Sequence, residues 1–309
     1  MLLSLKRVSL TFRRYTSTMP LPSYSSTPLP PPLSTHPSAD DGKPKIDMEG
    51  GSLPSPEASK SSVEQAKRFA AWEAVDRHVL PSHKIIGIGS GSTVPYVVER
   101  IVQQGDERNK DRVFLPTGFQ SRELIVSSGL NLGDVDQYPT IDVTLDGADE
   151  VDHKLNCIKG GGACHLREKV LAEAAKTFIL VADYRKNVQY LGTNFKPGVP
   201  IEVVPFAYAK VLQNLRHILD CPKANLRMAV AKAGPVVTDN GNFIIDAPFD
   251  QERMKEPYTI MAQIKMLTGV VEVGLFCHMA QAAYFGNEDG SVTARRVDEL
   301  PEVIPAKTQ

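Results

Sequence analysis

The chain has 309 residues, of which 42% are hydrophobic and 23% charged, as expected for one or two globular domains with a sizeable core. Its formal net charge of −1 provides no basic field for a polyanion, which disfavours a role in nucleic-acid binding. No stretch reaches the roughly 18 apolar residues needed to cross a bilayer, which disfavours a membrane protein.

The four cysteines form no Cys-x-x-Cys pair, so they predict neither a zinc site nor a disulfide framework. They suit a reducing compartment, where they stay free thiols. The neighbours Cys164 and His165 carry metal-ligating atoms, but no second ligand pair follows at the right spacing. We therefore expect no metal, and we expect the cysteines to be bystanders.

Residues 1–59 are rich in proline, serine and threonine, a composition that buries too little apolar surface to offset chain entropy. We expect this extension to be disordered. The segment 1–20 contains four basic residues and no acidic one, which is typical of a mitochondrial presequence. The alternative is an upstream start codon, with Met19 as the true first residue.

The globular part begins with a predicted helix from about residue 60 to His78. Ser62 and Gln65 form a capping box at its start, and Ser61 with Glu64 is the competing pair. Small residues recur on one face of this helix, which favours burial of that face against the core.

A glycine- and serine-rich turn, Gly89 to Thr93, follows the predicted strand Ile85–Ile88 and precedes the predicted helix Val94–Val102. Small residues allow backbone N–H groups to approach an anion at a helix N-terminus, and hydroxyls add donors. No lysine precedes Ser92 and Thr93, so the turn is not a P-loop, and the third glycine of a dinucleotide fingerprint is missing. The turn therefore predicts a phosphate-binding cradle.

Several charged side chains follow the predicted buried strand Ile141–Leu145 in the sequence. Asp146 and Asp149 stand at its carboxyl end, and Lys159 precedes a glycine triplet, Gly160–Gly162. Open α/β sheets bind ligands beyond the carboxyl ends of their strands. Taken singly, an Asp-Gly pair is most often a turn and a glycine triplet a loop, so the combination is what indicates a site.

Glu168 lies in the first turns of the predicted helix Leu166–Ala175 that follows the triplet. An acid near a helix N-terminus is ordinarily a compensation of the helix dipole. Here it shares the short stretch 141–170 with two aspartates and a lysine, which favours a chemical role. A buried strand, Thr177–Ala182, then leads to Lys186. Two further elements precede the central stretch, the strand Val113–Leu115 and the helix Gln120–Ser128.

The pattern changes from about Thr193, where strands alternate with helices in a β-α-β-β order. Asn240-Gly241 between apolar runs is a strong hairpin signal. This set, with a helix over Tyr258–Leu267, fits a ferredoxin-like α+β unit. We interpret the apolar run Val270–Phe276 as a strand that returns to the main sheet, which makes the unit an insertion. The polar tail from about Asn287 carries no clear signal.

Three motifs of the central stretch closely resemble the ribose-5-phosphate isomerase A family in residue type and spacing. They are DGADE from Asp146, IKGGGA from Ile158 and LREK from Leu166. The resemblance covers residues 60 to about 300. It implies an α/β fold in which 60–192 and 268–309 form a Rossmann-like catalytic domain with a parallel sheet, and 193–267 form an inserted ferredoxin-like lid.

The resemblance also implies an activity, the reversible conversion of D-ribose 5-phosphate to D-ribulose 5-phosphate in the non-oxidative pentose phosphate pathway. It implies a small-molecule sugar phosphate as the only ligand, with no cofactor and no metal. A homodimer or homotetramer and a cytoplasmic location are the expectations that go with it, and mitochondrial import through the basic segment 1–20 is the alternative.

Aldose–ketose isomerisation needs a base, a group that stabilises an oxyanion and an anchor for the phosphate. By resemblance, Glu168 is the base, Lys159 is the cation, and Asp146 and Asp149 handle hydroxyl protons and ring opening. The residues alone support only that these groups cluster. The matching substrate and phosphate contacts are Lys67, Ser90, Gly91, Ser92, Thr93, Gly160, Gly161, Gly162 and Lys186. Without the resemblance, we would interpret Lys67 and Lys186 as ordinary charged residues on the protein surface.

Two other functions fit the same elements. The first is a non-catalytic sugar-phosphate sensor that belongs to a transcription regulator. Such a protein should carry a helix-turn-helix with a basic face, and the proline-rich extension shows none. A sensor could also dispense with Glu168 and Lys159, and both are present. A coenzyme A transferase is the other, and it needs a nucleophilic glutamate and a long coenzyme A groove.

Overall fold

The structure, a computed structural model, describes residues 56–306. These residues belong to one compact unit, Leu53–Gln309. The predictions for the N-terminal extension lie outside the described residues, except at positions 56–59. Those positions were expected to be disordered and instead form the start of the first helix.

The bounds of the helices and strands within residues 56–306 are as follows. The α-helices are α1 Pro56–His78, α2 Val94–Gln103, α3 Asp106–Asn109, α4 Phe119–Ser127, α5 His165–Ala174, α6 Tyr208–His217 and α7 Pro257–Lys265. The strands are β1 Ile85–Ile88, β2 Val113–Pro116, β3 Val143–Asp146, β4 Glu150–Val151, β5 Cys157–Ile158, β6 Phe178–Asp183, β7 Val199–Val203, β8 Asn225–Leu226, β9 Phe243–Ala247, β10 Val270–Val273, β11 Leu275–Phe276, β12 Ala282–Gly286, β13 Val292–Arg296 and β14 Glu302–Ile304.

The main sheet has seven strands in the order β14-β13-β12-β6-β3-β1-β2. Neighbouring strands from β12 to β2 pair in parallel, and β13 and β14 add an antiparallel edge. All residues of β3 and β6 are buried, as expected of strands covered on both faces. The strand order reverses beside β1, because the chain continues from β1 toward one edge of the sheet and from β3 toward the other. α/β sheets usually bind ligands at such a point.

Helix α1 covers one face of this sheet because its small residues allow close approach to the strands. Ala70, Ala71 and Ala74 are fully buried in the same apolar cluster as Ile86 of β1 and Tyr284 of β12. Gly286 lies so close to α1 that a Cβ atom there would be 1.8 Å from the carbonyl oxygen of Ala66. The α/β fold class expected from the sequence is confirmed.

A second sheet of four antiparallel strands has the order β10-β7-β9-β8, with α6 and α7 in the connections. The order of chain entry is therefore 4-1-3-2 in a βαββαβ unit, the ferredoxin-like arrangement. The predicted hairpin is present, because Val237 bridges Phe243 across the turn. The predicted division of the chain into domains at residues 193 and 268 stays a prediction.

The expectation that Val270–Phe276 returns to the main sheet is wrong. Gly274 splits this run into two short strands. Val270–Val273 pairs with β7 in the four-stranded sheet, and Leu275–Phe276 pairs with β5 in a small three-stranded sheet, β11-β5-β4. The N–H of Gly274 donates to the carbonyl of Pro200 and its own carbonyl accepts from the N–H of Lys159, so the chain passes from one sheet to the other at this residue. A Cβ there would lie 2.2 Å from the carbonyl oxygen of Lys159, so the close approach requires glycine.

The strand that does return to the main sheet is β12, and β13 and β14 follow it. None of the helices within residues 56–306 combines the length and the hydrophobicity that crossing a bilayer requires.

Candidate active site

A cavity of about 250 Å³ opens at the carboxyl ends of β1, β3 and β6. The turn after β1, the DGADE segment after β3 and the residues after β6 all reach it. Most of the residues singled out in the sequence line it. Those that do are Ser90, Gly91, Ser92, Thr93, Asp149, Lys159, Gly160, Gly161, Gly162, Glu168 and Lys186.

The turn Gly89–Thr93 connects β1 to the N-terminus of α2, and Thr93 is the N-cap residue of that helix. A Cβ at Gly89 would lie 2.0 Å from Asp146 Oδ1, so only glycine allows the turn to lie against the aspartate. The backbone N–H of Ser90 donates to Asp146 Oδ1 at 3.0 Å. Asp146 thus holds the turn in place. The polar groups of the turn that do not bind Asp146 are available to the cavity.

Lys159 joins the carboxylates of the site. Its Nζ lies 2.9 Å from Asp146 Oδ2 and 3.3 Å from Glu168 Oε1, and it donates to the carbonyl of Gly147 at 2.6 Å. Lys159 is 2% exposed and Asp146 is completely buried. An unpaired charge at this depth would be strongly disfavoured, so the ions must be held as a group.

Burial and neighbouring charges shift the pKa values of Lys159 and Asp146 in opposite directions. Burial alone would lower the pKa of Lys159, but the neighbouring Asp146 and Glu168 carboxylates raise it above its usual value. Burial raises the pKa of Asp146, while Lys159 and the two backbone donors of Ser90 and Gly147 act in the opposite direction. We conclude that Lys159 stays cationic at neutral pH.

Glu168 projects from the first turn of α5 and is 4% exposed. Its Oε1 accepts a hydrogen bond from Ser90 Oγ at 2.5 Å, and its Oε2 is buried without a hydrogen-bond partner among the described residues. Burial first, and then the charge of Asp146, raise the pKa of Glu168 to about 7. A carboxyl with that pKa can both accept and return a proton near neutral pH.

Asp149 also lines the cavity, and its Oδ2 accepts from the backbone N–H of Gly161 at 2.7 Å. A Cβ at Gly161 would lie 2.5 Å from Asp149 Oδ1, and Gly160 has a φ of +104°. The glycine loop therefore needs its first two glycines, one for a left-handed backbone and the other for contact with the aspartate.

Three predicted residues or motif members lie apart from the cavity wall. Asp146 is beneath it, in contact with Lys159 and Ser90. Lys67 is not part of the lining, and its ammonium lies 2.7 Å from Glu64 instead. Glu150 of the DGADE motif accepts backbone hydrogen bonds from within 192–195, so it fixes the segment that leads to the second sheet.

Sequence reasoning missed Gln120, Cys164 and Asp183, which also line the cavity. Gln120 Oε1 accepts from the backbone N–H of Gly91 at 2.8 Å, so it steadies the cradle. Asp183 ends β6, and the rule that strand ends face the ligand could have identified it. Gln120 lies in the first turn of α4, just beyond the end of β2, and nothing in the residue type marks it.

The described residues contain no group of three or more histidine, cysteine, aspartate and glutamate side chains that could hold a metal ion. The four cysteines are free thiols, three of them buried. Burial, and next the charge of Glu168, raise the pKa of Cys164 to about 11, so this thiol stays protonated beside the cavity. The expectation that the chain needs neither metal nor cofactor stays a prediction.

Comparison with known proteins identifies the arrangement. The family model for ribose 5-phosphate isomerase A (phosphoriboisomerase A) matches residues 113–290. A ribose-5-phosphate isomerase from Cryptococcus neoformans var. neoformans serotype D is 70% identical over 244 residues, which cover 77% of this chain and 81% of that protein. One from Schizosaccharomyces pombe is 56% identical over 247 residues, which cover 80% and 88%.

A solved structure of a D-ribose-5-phosphate isomerase in complex with phospho-erythronic acid is 39% identical and superposes with a TM-score of 0.69. The match covers 76% of this chain and 99% of that one. The chain therefore resembles this protein in both sequence and fold, over nearly the whole length of the solved protein. The chain is therefore an isomerase that belongs to the ribose 5-phosphate isomerase A family.

Proposed function

We propose that the chain interconverts D-ribose 5-phosphate and D-ribulose 5-phosphate through an enediolate, with Glu168 as the general base. The names of the relatives support the substrate. The observation that carries the mechanism is the state of Glu168, a buried carboxyl with one unpartnered oxygen among the described residues, in a cavity that also holds a buried cation.

The base acts on the carbon between the carbonyl and the sugar chain. Glu168 takes the proton from C2 of the open-chain aldose and returns it to C1, while the hydroxyl proton of O2 moves to O1. A pKa of about 7 balances the two half-reactions, since a weaker base would not accept the proton and a stronger one would not release it. Ser90, which donates to Glu168 Oε1, keeps the carboxyl in place.

Lys159 supplies the positive charge for the enediolate oxygen. Its ammonium is fixed by Asp146 and by the carbonyl of Gly147, so it needs no reorganisation as negative charge develops. Asp149, which also lines the cavity and accepts from Gly161 N–H, is the proposed proton carrier for opening the furanose ring.

The phosphate would lie at the turn Ser90–Thr93, at the N-terminus of α2. Backbone N–H groups and hydroxyls there suit an anion, and Lys186, which also lines the cavity, adds a charge. Lys67 would have to exchange Glu64 for the phosphate to take part. Anchoring the phosphate orients C1 and C2 against Glu168, which is how remote binding energy serves the reaction.

The test is conversion of D-ribose 5-phosphate by the purified full-length chain, with and without EDTA. We expect D-ribulose 5-phosphate at an unchanged rate in EDTA, because Lys159 provides the local charge. No conversion, with the sugar phosphate still bound in calorimetry, would favour the sensor. Thioester exchange without isomerisation would favour the coenzyme A transferase.

The assembly and the location remain proposals of the same kind. We propose a homodimer or homotetramer, which light scattering of the full-length chain would measure. We propose a cytoplasmic location, and fluorescent tagging with and without the segment 1–20 would separate it from mitochondrial import.

A further inference from the structure

A guanidinium from the four-stranded sheet reaches the glycine loop of the candidate active site. Arg227 follows β8, and its Nε and Nη2 donate to the two carboxylate oxygens of Asp246 on β9 at 2.8 and 2.5 Å. Its Nη1 donates to the carbonyl oxygens of Gly160 and Gly161 at 2.9 and 3.0 Å. One side chain therefore connects the second sheet to two consecutive peptide groups of the loop.

These contacts determine where the N–H groups of the loop point. In a trans peptide the C=O and the following N–H point in opposite directions. The carbonyl of Gly160 is held by Arg227 on one side, and the N–H of the same peptide, on Gly161, donates to Asp149 Oδ2 at 2.7 Å on the other. The Gly161 carbonyl is held in the same way, so the N–H of Gly162 points away from Arg227.

The loop has a turn bond of its own, from the N–H of Ala163 to the carbonyl of Gly160 at 3.0 Å, and Arg227 adds a second donor to that carbonyl and also holds the carbonyl of Gly161. Glycine peptides rotate more freely than others, and ordering them costs more conformational entropy. Gly162 has no heavy atom within 4 Å of the place where a Cβ would lie, so no neighbour among the described residues packs against it on that side. The guanidinium, in turn, is held at both oxygens of Asp246, and both side chains are largely buried.

We propose that Arg227 is a positioning residue for the reaction, which sets the two peptide planes of the glycine loop and thereby aims Gly161 N–H at Asp149. Asp246 holds the guanidinium in the orientation that reaches both carbonyls. This inference rests on the proposed function, since Asp149 and the loop are assigned to the substrate there. It gives the second sheet a direct part in the geometry of the site.

The test compares R227M with R216M in the full-length chain. Arg216 is a matched control, because it also donates from Nε and Nη2 to a carbonyl oxygen, that of Ala224, far along the chain from the glycine loop. We expect R227M to lower kcat by about 10- to 100-fold with a smaller change in KM, because displacement of a site by about 1 Å has that effect. We expect R216M to retain the kcat of the wild type.

A second readout does not depend on turnover. Amide exchange of glycine residues labelled with ¹⁵N would follow Gly161 directly, and we expect its exchange to be more than tenfold faster in R227M and unchanged in R216M. If the wild type were inactive, the proposed function would fail, and this exchange would still decide whether Arg227 holds the loop. Unchanged exchange at Gly161, or a kcat within about twofold of the wild type, would overturn the proposal.

Removal of Arg227 leaves the Asp246 carboxylate buried and unpaired, which destabilises a protein strongly. The double variant R227M/D246N removes that charge, so it keeps the test available if R227M does not fold. R227K provides a third measurement. Lysine keeps a charge for Asp246 but cannot also reach both carbonyls. We therefore expect the kcat of R227K to lie between those of the wild type and R227M. A kcat equal to that of the wild type would contradict the role of the branched guanidinium group.

Discussion

Lys159 Nζ lies 2.9 Å from Asp146 Oδ2, and the two side chains are almost completely buried. The pair lies at the carboxyl end of β3, where Lys159 lines the cavity and Asp146 lies beneath its wall, and it touches both the cradle and the base. Its charges hold the turn after β1 and the residues after β5 against each other. The same contact therefore affects both stability and chemistry, and the two contributions can be separated.

Lys159→Met should destabilise the fold by about 3–5 kcal/mol, because it leaves Asp146 as an uncompensated buried charge. Denaturant unfolding would measure this loss. The double variant Lys159→Met with Asp146→Asn should recover much of the stability, since asparagine Oδ1 keeps the bonds from Ser90 and Gly147. It should remain inactive. A double variant as unstable as the single one would contradict the pairing.

Gly89→Ala should destabilise the chain by about 1–3 kcal/mol and lower turnover, since its Cβ would lie 2.6 Å from the Asp146 Cα as well as against the carboxylate. Backbone cannot rotate away as a side chain can. Gly162→Ala is the stability control, because its Cβ meets no heavy atom of the described residues within 4 Å. Equal melting temperatures for the two variants would refute the close approach of the turn to β3.

Stability should depend on pH through Glu168. Its pKa rises from 4.5 to about 7 on folding, so the folded state binds this proton more tightly. The stabilisation that results is complete below the unfolded pKa and is lost as pH rises through the folded pKa. The free energy of unfolding of the wild type minus that of Glu168→Gln should therefore fall from about pH 5 to about pH 8. A difference that is constant or rises over this interval would show that burial does not raise the pKa.

Activity should have the opposite dependence. The base must be ionised, so kcat/KM should increase with pH up to about 7 and level off above it. Initial rates with D-ribose 5-phosphate in buffers of constant ionic strength would provide the profile. A profile that is flat between about pH 5.5 and 8 would argue against a base with this pKa.

Much of the main sheet could be predicted from the sequence, because its parallel strands are short apolar runs with glycine or acidic residues at their carboxyl ends. β1 was predicted with its observed bounds, and β3 and β6 nearly so. The run Val270–Phe276 was placed in the wrong sheet, since both sheets need apolar strands and the apolar pattern does not mark Gly274 as the residue where the chain changes sheets. β12 was not predicted although all of its residues are buried, and β13 and β14 were missed because an edge hairpin has polar, half-exposed residues.

The candidate site was predictable where its residues are adjacent in sequence, as in the motifs around Asp146, Lys159 and Glu168. Contacts between distant segments were not. Gln120 reaches Gly91, and Arg227 reaches Gly160, and neither residue type carries a signal of its own. Lys67 was assigned by resemblance, and its observed partner is Glu64. Such pairings depend on how the sheets are arranged, which periodicity does not encode.

The most direct measurement compares kcat and KM of Glu168→Gln with those of the wild type and of Glu173→Gln, an exposed glutamate of the same helix. Glutamine keeps the volume and can still accept from Ser90, but it cannot take a proton. We expect Glu168→Gln to lower kcat by about 10²–10⁴-fold with KM little changed, and Glu173→Gln to match the wild type. Turnover by Glu168→Gln within about tenfold of the wild type would contradict its role as the base.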